Sequence, residues 1–382
     1  MKYPLNLTLF LLLVIACRPV DTFTVSGRLQ GLNTGDTLRF DTYTLPFYEP
    51  ISADTFIVAE NNTIDISIAA HHTIYGLLQY APRTGKVWGN NSVEIIARPG
   101  DNIEIHGSID YLKCARLKGG LYDDTAVARY LDTTRETDSL ETFYERKIAF
   151  FSASGQSDST FSYIERFQHM KHPKAYKEMR DSLTNLADNE YAAYLYLRLT
   201  HRKSPEELQE RLNRFSPATR ESYLGKRLES ILPILTNISE GNKPKDFTLT
   251  DKNGNSVSLS DYRGKYLLLF YYGVCGGVFQ TDPHLTDIYH EYHDKGLEML
   301  GICRDGDIAA AYPQLLESPQ VQRLLAHPYP TIYLTDEQNA YIRKELFLYA
   351  TPTVMLIDPD GTTLIRGSHE EKAIRKLLRE NL

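Results

Sequence analysis

The chain has 382 residues, of which 42% are hydrophobic and 24% are charged. This length predicts two or three domains, and the composition excludes a disordered or fibrous chain. The formal net charge of −7 gives no electrostatic reason to expect nucleic-acid binding, and four cysteines are too few for a disulfide-built scaffold. We therefore expect a folded, multi-domain protein whose chemistry has to be found in local motifs.

The first segment is typical of a secretion signal. Lys2 precedes an apolar run from Leu5 to Ala16, which is shorter than the ~20 residues that span a bilayer and so predicts a signal peptide over residues 1–16. The run ends at Cys17, and the sequence Val-Ile-Ala-Cys there resembles a bacterial lipoprotein box. The resemblance implies a lipidated Cys17, a tether over residues 17–22, and a lipid-anchored protein of a Gram-negative cell envelope, in the periplasm or at the outer membrane. Ordinary secretion is the alternative.

Residues 23–120 alternate between apolar and polar side chains and are interrupted by turn residues. Several short strands at this spacing predict an antiparallel sandwich or barrel. The pattern resembles the β-domain of unknown function that precedes thioredoxin-like domains in many Gram-negative lipoproteins. No catalytic motif occurs in it. His71 and His72 would point to opposite faces of a strand, so they cannot readily share a metal ion. We expect Cys114 to be a small residue that is at least half-buried.

Residues 121–240 change to a helical period. Tyr191, Tyr194 and Leu195 follow the spacing of a helix face that packs on a core. Ser204, followed by Pro205 and by Glu207 three residues on, predicts a capped helix start. These residues therefore predict a helical connector without chemistry of its own, which ends where Gly and Pro recur at residues 241–244.

Residues 241–382 combine a hairpin, apolar strands and helices. Continuous apolar runs at Tyr266–Tyr272, Leu297–Cys303 and Thr353–Ile357 are typical of strands that are buried on both faces of an α/β sheet. A closing helix is predicted over residues 370–379. The whole chain is therefore predicted to be an α+β multi-domain protein, with a β-sandwich-like domain, a helical connector and a C-terminal α/β domain.

In this order of elements, Cys275 follows the first apolar run, Pro283 comes eight residues later, and Thr351-Pro352 precedes another strand. The arrangement resembles the thioredoxin-like fold of the TlpA/AhpC-TSA group. The resemblance implies that Cys275 is the nucleophile at a helix start, where unpaired backbone N–H groups favour a thiolate. It also implies that Thr351 and a cis Pro352 face this cysteine and shape a groove for a substrate strand. The implied partners are protein thiols or disulfides of the envelope.

One position departs from that family's Cys-x-x-Cys motif, because Val278 stands where the second cysteine belongs. The usual two-cysteine cycle therefore lacks its resolving thiol. In one interpretation Cys275 works as a monothiol that an outside thiol releases. In another, Cys303 resolves the mixed disulfide, since it ends the neighbouring strand at the same sheet edge; otherwise Cys303 is a small buried hydrophobe.

A third interpretation is a non-catalytic binding module of the envelope, in which Val274, Val278 and the tyrosines at 271 and 272 form a hydrophobic contact surface. Peroxidase chemistry is disfavoured, because residues 270–274 supply neither the threonine nor the proline that a peroxidatic cysteine needs. We expect His290 and His293 to lie on a solvated helix face rather than to bind a metal. The sequence thus predicts no cofactor and no metal, and it leaves the oligomeric state open.

Overall fold

The computed structural model describes residues 21–59, 63–81, 92–170, 172–348 and 350–382. The apolar run over residues 5–16 and Cys17 lie outside these ranges, so a signal peptide and lipidation of that cysteine stay predictions. Within the described ranges, no helix combines the length and the apolar character that crossing a bilayer requires.

The N-terminal part forms two packed sheets. Its described strands are β1 (Thr22–Gln30), β2 (Thr37–Tyr43), β3 (Pro50–Ile57), β4 (Ile64–Ala69), β5 (Ile74–Ala81), β6 (Ser92–Ala97), β7 (Asn102–Ser108) and β8 (Arg116–Lys118). One sheet has the order β4-β1-β7-β8 and the other the order β3-β2-β5-β6. Phe23 of the first sheet and Phe40 of the second meet edge to face, with ring centroids 5.8 Å apart. This buried contact joins the inner faces of a sandwich, as the alternating pattern predicts.

One pair of strands in this sandwich is parallel, and there the prediction of an antiparallel domain is wrong. Val25 of β1 pairs with Ile103 of β7 in a parallel register. Parallel neighbours need a long crossover connection. Residues 31–101 provide it, since they contain the whole second sheet.

The middle of the chain is helical. Its helices are α1 (Thr125–Ala153), α2 (Ser157–Gln168), α3 (Lys174–Leu186), α4 (Glu190–Leu199), α5 (Pro205–Arg214), α6 (Pro217–Glu221), α7 (Tyr223–Glu229) and α8 (Leu232–Ile238). Tyr191 and Tyr194 of α4 are buried, as their spacing predicts. The Ser204 hydroxyl accepts a hydrogen bond from the Glu207 N–H, and the Glu207 carboxylate accepts one from the Ser204 N–H. This capping box starts α5 where the sequence predicts it.

The C-terminal part has a central mixed sheet between helices. Its elements are β9 (Thr248–Thr250), β10 (Ser256–Ser258), β11 (Tyr266–Tyr272), α9 (Gly276–Tyr292), β12 (Leu297–Cys303), α10 (Ile308–Ala311), α11 (Pro319–Leu325), β13 (Thr331–Tyr333), α12 (Asp336–Glu345), β14 (Thr353–Ile357), β15 (Thr363–Gly367) and α13 (Glu371–Asn381). The sheet order is β13-β12-β11-β14-β15. β11 pairs in parallel with β12 and antiparallel with β14. The carboxyl ends of β11 and β12 and the first residue of β14 therefore lie at the same end of the sheet.

The three parts of the chain touch one another. Phe161 of α2 packs edge to face on Phe279 of α9, with ring centroids 5.7 Å apart. On another side, Arg343 of α12 donates a hydrogen bond to the backbone carbonyl of Phe47, and the Phe47 ring packs against Phe347. The helical connector therefore contacts the helix that follows Cys275, and the β-domain contacts Arg343 of α12 and Phe347.

Candidate functional site

Cys275 lies at the N-terminus of α9. The strand β11 is buried from Leu267 to its end at Tyr272, and the chain then turns through Gly273 and Val274. Cys275 has the extended backbone of an N-cap residue, with φ −151° and ψ 162°. Its carbonyl accepts the first helical hydrogen bond, from the Phe279 N–H at 3.1 Å. The thiol is half-buried. A cysteine in this position lies at the positive end of the helix dipole, beside N–H groups that have no partner within the helix.

Thr351 and Pro352 face this thiol, and their peptide bond is cis. The Cys275 Sγ atom lies 3.6 Å from the Thr351 hydroxyl and 3.9 Å from the Thr351 carbonyl oxygen. The Pro352 ring lies against Gly277, where an added Cβ would be only 3.1 Å from the proline Cδ. The structure thus brings together the three residues that the sequence resemblance singles out.

The position of the missing second cysteine is inside the protein core. Val278 is 0% exposed, as are Tyr271 and Tyr272. The hydrophobic contact surface expected from these side chains is therefore wrong, because only Val274 of that set is partly exposed. The two tyrosines are buried because β11 is covered on both faces, which the sequence pattern itself indicates, and Val278 is a buried residue of α9.

Cys303 is also buried. It is 0% exposed and pairs in register with Tyr272. Its thiol lies 3.8 Å from the Gly306 carbonyl oxygen, and burial raises its pKa to about 12. Both cysteines are free thiols. A buried, protonated thiol is a poor attacking group, so this geometry favours a packing role for Cys303 over a resolving one.

Asp305 supports the turn before the nucleophile, and the sequence reasoning missed it. Its carboxylate accepts a hydrogen bond from the Val274 N–H at 2.6 Å and one from the Tyr312 hydroxyl at 3.3 Å. The side chain is only 13% exposed. The available signal was its place two residues after Cys303, at the sheet edge where the nucleophile was expected.

The helical connector contacts the start of α9, next to the nucleophile, through Gln168, the last residue of α2. The Gln168 side-chain oxygen accepts a hydrogen bond of 2.9 Å from the side-chain amide of Gln280. Its amide group lies so close to Gly276 that a Cβ there would overlap it. No local sequence pattern could indicate this contact, because it joins two different parts of the chain.

The site has no evident metal ligands. Within the described ranges, no three His, Cys, Asp or Glu side chains are placed to hold a metal ion. His293 instead contacts the Leu297 carbonyl oxygen through Nδ1 at 3.1 Å and packs on Tyr289. Cys114 lies in the β-domain part of the chain, half-buried, and burial raises its pKa to about 11.

Comparison with known proteins gives matches in the C-terminal part. Residues 241–364 match the model of the AhpC/TSA family. Over 110 residues the chain is 33% identical to chloroplastic peroxiredoxin Q of Triticum aestivum, and this alignment covers 28% of the present chain and 46% of the peroxiredoxin. Over 142 residues it is 29% identical to the thiol-disulfide oxidoreductase ResA of Bacillus subtilis (strain 168), which covers 36% of this chain and 73% of ResA. The chain thus spans just under half of the first relative's length.

Among solved structures, a thioredoxin-like protein from Bacteroides caccae ATCC 43185 aligns over 68% of this chain and 90% of its own, with 19% identity and a TM-score of 0.38. The family match, the ResA similarity, the sheet order and the position of Cys275 opposite a cis-proline all concern the same domain. The C-terminal part of the chain therefore has a thioredoxin-like fold, and its sequence is similar to the AhpC/TSA family and to the thiol-disulfide oxidoreductase ResA.

Proposed function

We propose that this protein exchanges disulfides with other proteins through Cys275, acting as a monothiol. The observation that carries the proposal is the half-exposed Cys275 thiol at the start of α9, 3.6 Å from the Thr351 hydroxyl and beside the cis-proline. The buried Val278 supports the monothiol form, because no second thiol stands three residues away. Cys303 is inside the core and supplies none.

The exchange needs two steps. The Cys275 thiolate attacks one sulfur of a client disulfide, so that the client S–S bond breaks, a Cys275–client bond forms and the other client sulfur leaves as a thiolate. A thiolate from another molecule then attacks the client sulfur of this mixed disulfide, which releases Cys275 and joins the client to the incoming thiol. Each step forms one S–S bond and breaks one, so no cofactor or further electron source is required.

Thr351 and Pro352 orient the client in this scheme. A proline has no backbone N–H, and the chain before it offers its carbonyl oxygen to a neighbouring extended strand. The Thr351 hydroxyl lies 3.6 Å from the Cys275 sulfur, which attacks the client disulfide. These two residues therefore position the client, and Cys275 carries the reaction.

A non-catalytic binding module is the second candidate, and the same Val278 favours it, since the family's resolving cysteine is absent. Such a module would hold an extended partner segment along Thr351 and Pro352 without covalent chemistry. Mixed-disulfide trapping with Cys275→Ser distinguishes the two. Exchange predicts covalent adducts with the unchanged protein and none with Cys275→Ser, while Cys303→Ala retains them. Equal non-covalent capture by both proteins, without adducts, supports the binding module instead.

We further propose that the protein acts in a Gram-negative cell envelope, held to a membrane by lipid on Cys17. The support is the apolar run over residues 5–16 that ends at this cysteine. Labelled palmitate incorporated into the full-length protein, and lost in Cys17→Ser, is the expected result. Absence of label from the unchanged protein would contradict the anchor and leave the exchange at Cys275 unaffected.

A further inference from the structure

A cleft of about 800 Å³ opens beside the nucleophile. Its walls come from α2 of the helical connector, from α9, and from α11 with the two residues before it. Gly276, the residue directly after Cys275, lines the cleft. A group that is covalently attached to Cys275 therefore has this space next to it. The volume falls in the range that accommodates a ligand of several side chains' size.

The floor of the cleft is apolar. The rings of Phe161 and Phe279 meet there edge to face, and both side chains are only partly buried. Ile164 of the same helix as Phe161 adds a third partly exposed apolar side chain. Apolar surface left open to water at this point gains free energy when a partner's apolar side chain covers it.

The rim of the cleft is mainly acidic. Asp158 and Glu165 of α2 and Glu317 on the opposite wall are exposed carboxylates, and Arg323 is the one arginine among the lining residues described. Within the described ranges, none of these three carboxylates forms an ion pair with a lysine or arginine. The rim therefore attracts positively charged groups and repels anions.

We propose that this cleft docks the client polypeptide of the exchange reaction, and that it selects cysteine-containing segments with a large apolar side chain and a lysine or arginine close to the cysteine. The inference rests on the proposed exchange at Cys275. The apolar floor of the cleft receives the client's apolar side chain, and the α2 carboxylates at the rim attract the client's lysine or arginine. Small anionic thiols fit poorly, because the rim repels them and leaves the floor uncovered.

The test uses the full chain and two synthetic peptides that each carry one cysteine as a mixed disulfide with thionitrobenzoate. The basic peptide has leucine and lysine beside the cysteine, and the acidic peptide has glutamate in place of lysine. Attack by Cys275 on the peptide sulfur forms the peptide–Cys275 disulfide and releases coloured thionitrobenzoate, so the release rate measures the reaction. At low ionic strength we expect the basic peptide to react about tenfold faster than the acidic one, with a smaller difference in high salt.

Removing rim charges tests the location of this preference. Asp158→Asn and Glu165→Gln should each lower the rate of the basic peptide roughly threefold, and the double variant should bring the two peptide rates close together. The matched control is Asp54→Asn, which removes an exposed carboxylate from β3, outside the cleft lining. This control should keep the full preference for the basic peptide.

The outcomes separate the two proposals. Equal rates for both peptides in the unchanged protein, or a preference that the double variant retains, would overturn the docking inference while Cys275 still exchanged with neutral hydroxyethyl disulfide. If Cys275 reacted with neither peptide nor with hydroxyethyl disulfide, the exchange function itself would fail. A second copy of the chain could instead cover the cleft. Concentration-dependent dimerisation that blocks the reaction with both peptides would show this and would also overturn the docking inference.

Discussion

Restoring the missing cysteine is the most informative change to this site. Val278→Cys places a second thiol three residues after Cys275, in the first turn of α9. The valine is 0% exposed, and cysteine is smaller by about one methyl group, so the variant should lose only about 1 kcal/mol of unfolding free energy. We therefore expect it to fold and to differ from the original protein mainly in how mixed disulfides are released.

The expected effect on release follows from concentration. In the unchanged protein, an outside thiol must collide with the mixed disulfide, whereas a tethered thiol acts at an effective concentration of at least about 1 mM. Position 278 is as buried as Cys303, but it lies in the first turn of the helix that Cys275 caps. With outside thiol at about 0.1 mM, a thiol tethered there should release the client at least about tenfold faster, and the trapped adduct should fall by the same factor. The product is an intramolecular disulfide between Cys275 and the new cysteine.

The assay is acid quenching followed by mass spectrometry without reduction. The unchanged protein should retain the client adduct, and Val278→Cys should lose it and gain the internal disulfide. Val278→Ala is the matched control, because it disturbs the packing without adding a thiol. An adduct that persists equally in Val278→Cys and in the unchanged protein would refute the argument that a missing resolving thiol determines its lifetime.

Three further substitutions test single contacts. Gly277→Ala should slow exchange several-fold, because its Cβ would lie 3.1 Å from the Pro352 ring and displace it; an unchanged rate in the thionitrobenzoate assay would contradict this. Asp305→Ala should lower the unfolding free energy by about 1–3 kcal/mol in urea, since the Val274 N–H loses its acceptor, and Asp305→Asn, which keeps an acceptor oxygen, should lose less. Asp138→Asn should raise the unfolding free energy at pH 7 but not at pH 4, and an equal change at both pH values would contradict this prediction. Burial raises the pKa of Asp138 from 3.8 to about 6. The folded protein therefore loses at most about 3 kcal/mol of unfolding free energy as the pH rises from about 4 to about 6 and this carboxyl group ionises.

The parts of the site that lie close together in the chain could be predicted from the sequence. Cys275 follows an apolar strand and begins a helix, and Pro352 precedes another apolar strand, so local patterns mark both. The burial of Tyr271 and Tyr272 follows from the same strand pattern, although the expectation of a contact surface there overlooked it.

The parts that depend on distant contacts could not be predicted. Gln168 approaches Gly276 only because α2 packs on α9, and no periodicity within either helix specifies that partner. The parallel pairing of β1 with β7 likewise depends on how a long connection returns to the first sheet. Strand and helix patterns specify which faces are buried, but they do not specify which distant element covers them.

The central claim is that Cys275 alone is the reactive thiol of the thioredoxin-like domain. The most direct measurement is mapping by mass spectrometry of the thiols in native protein that has reacted briefly with hydroxyethyl disulfide. The account predicts modification at Cys275 in the folded state, and modification of Cys303 only after unfolding, because that thiol is 0% exposed. Modification of Cys303 before Cys275, or a Cys275 that stays unmodified until the protein unfolds, would contradict it.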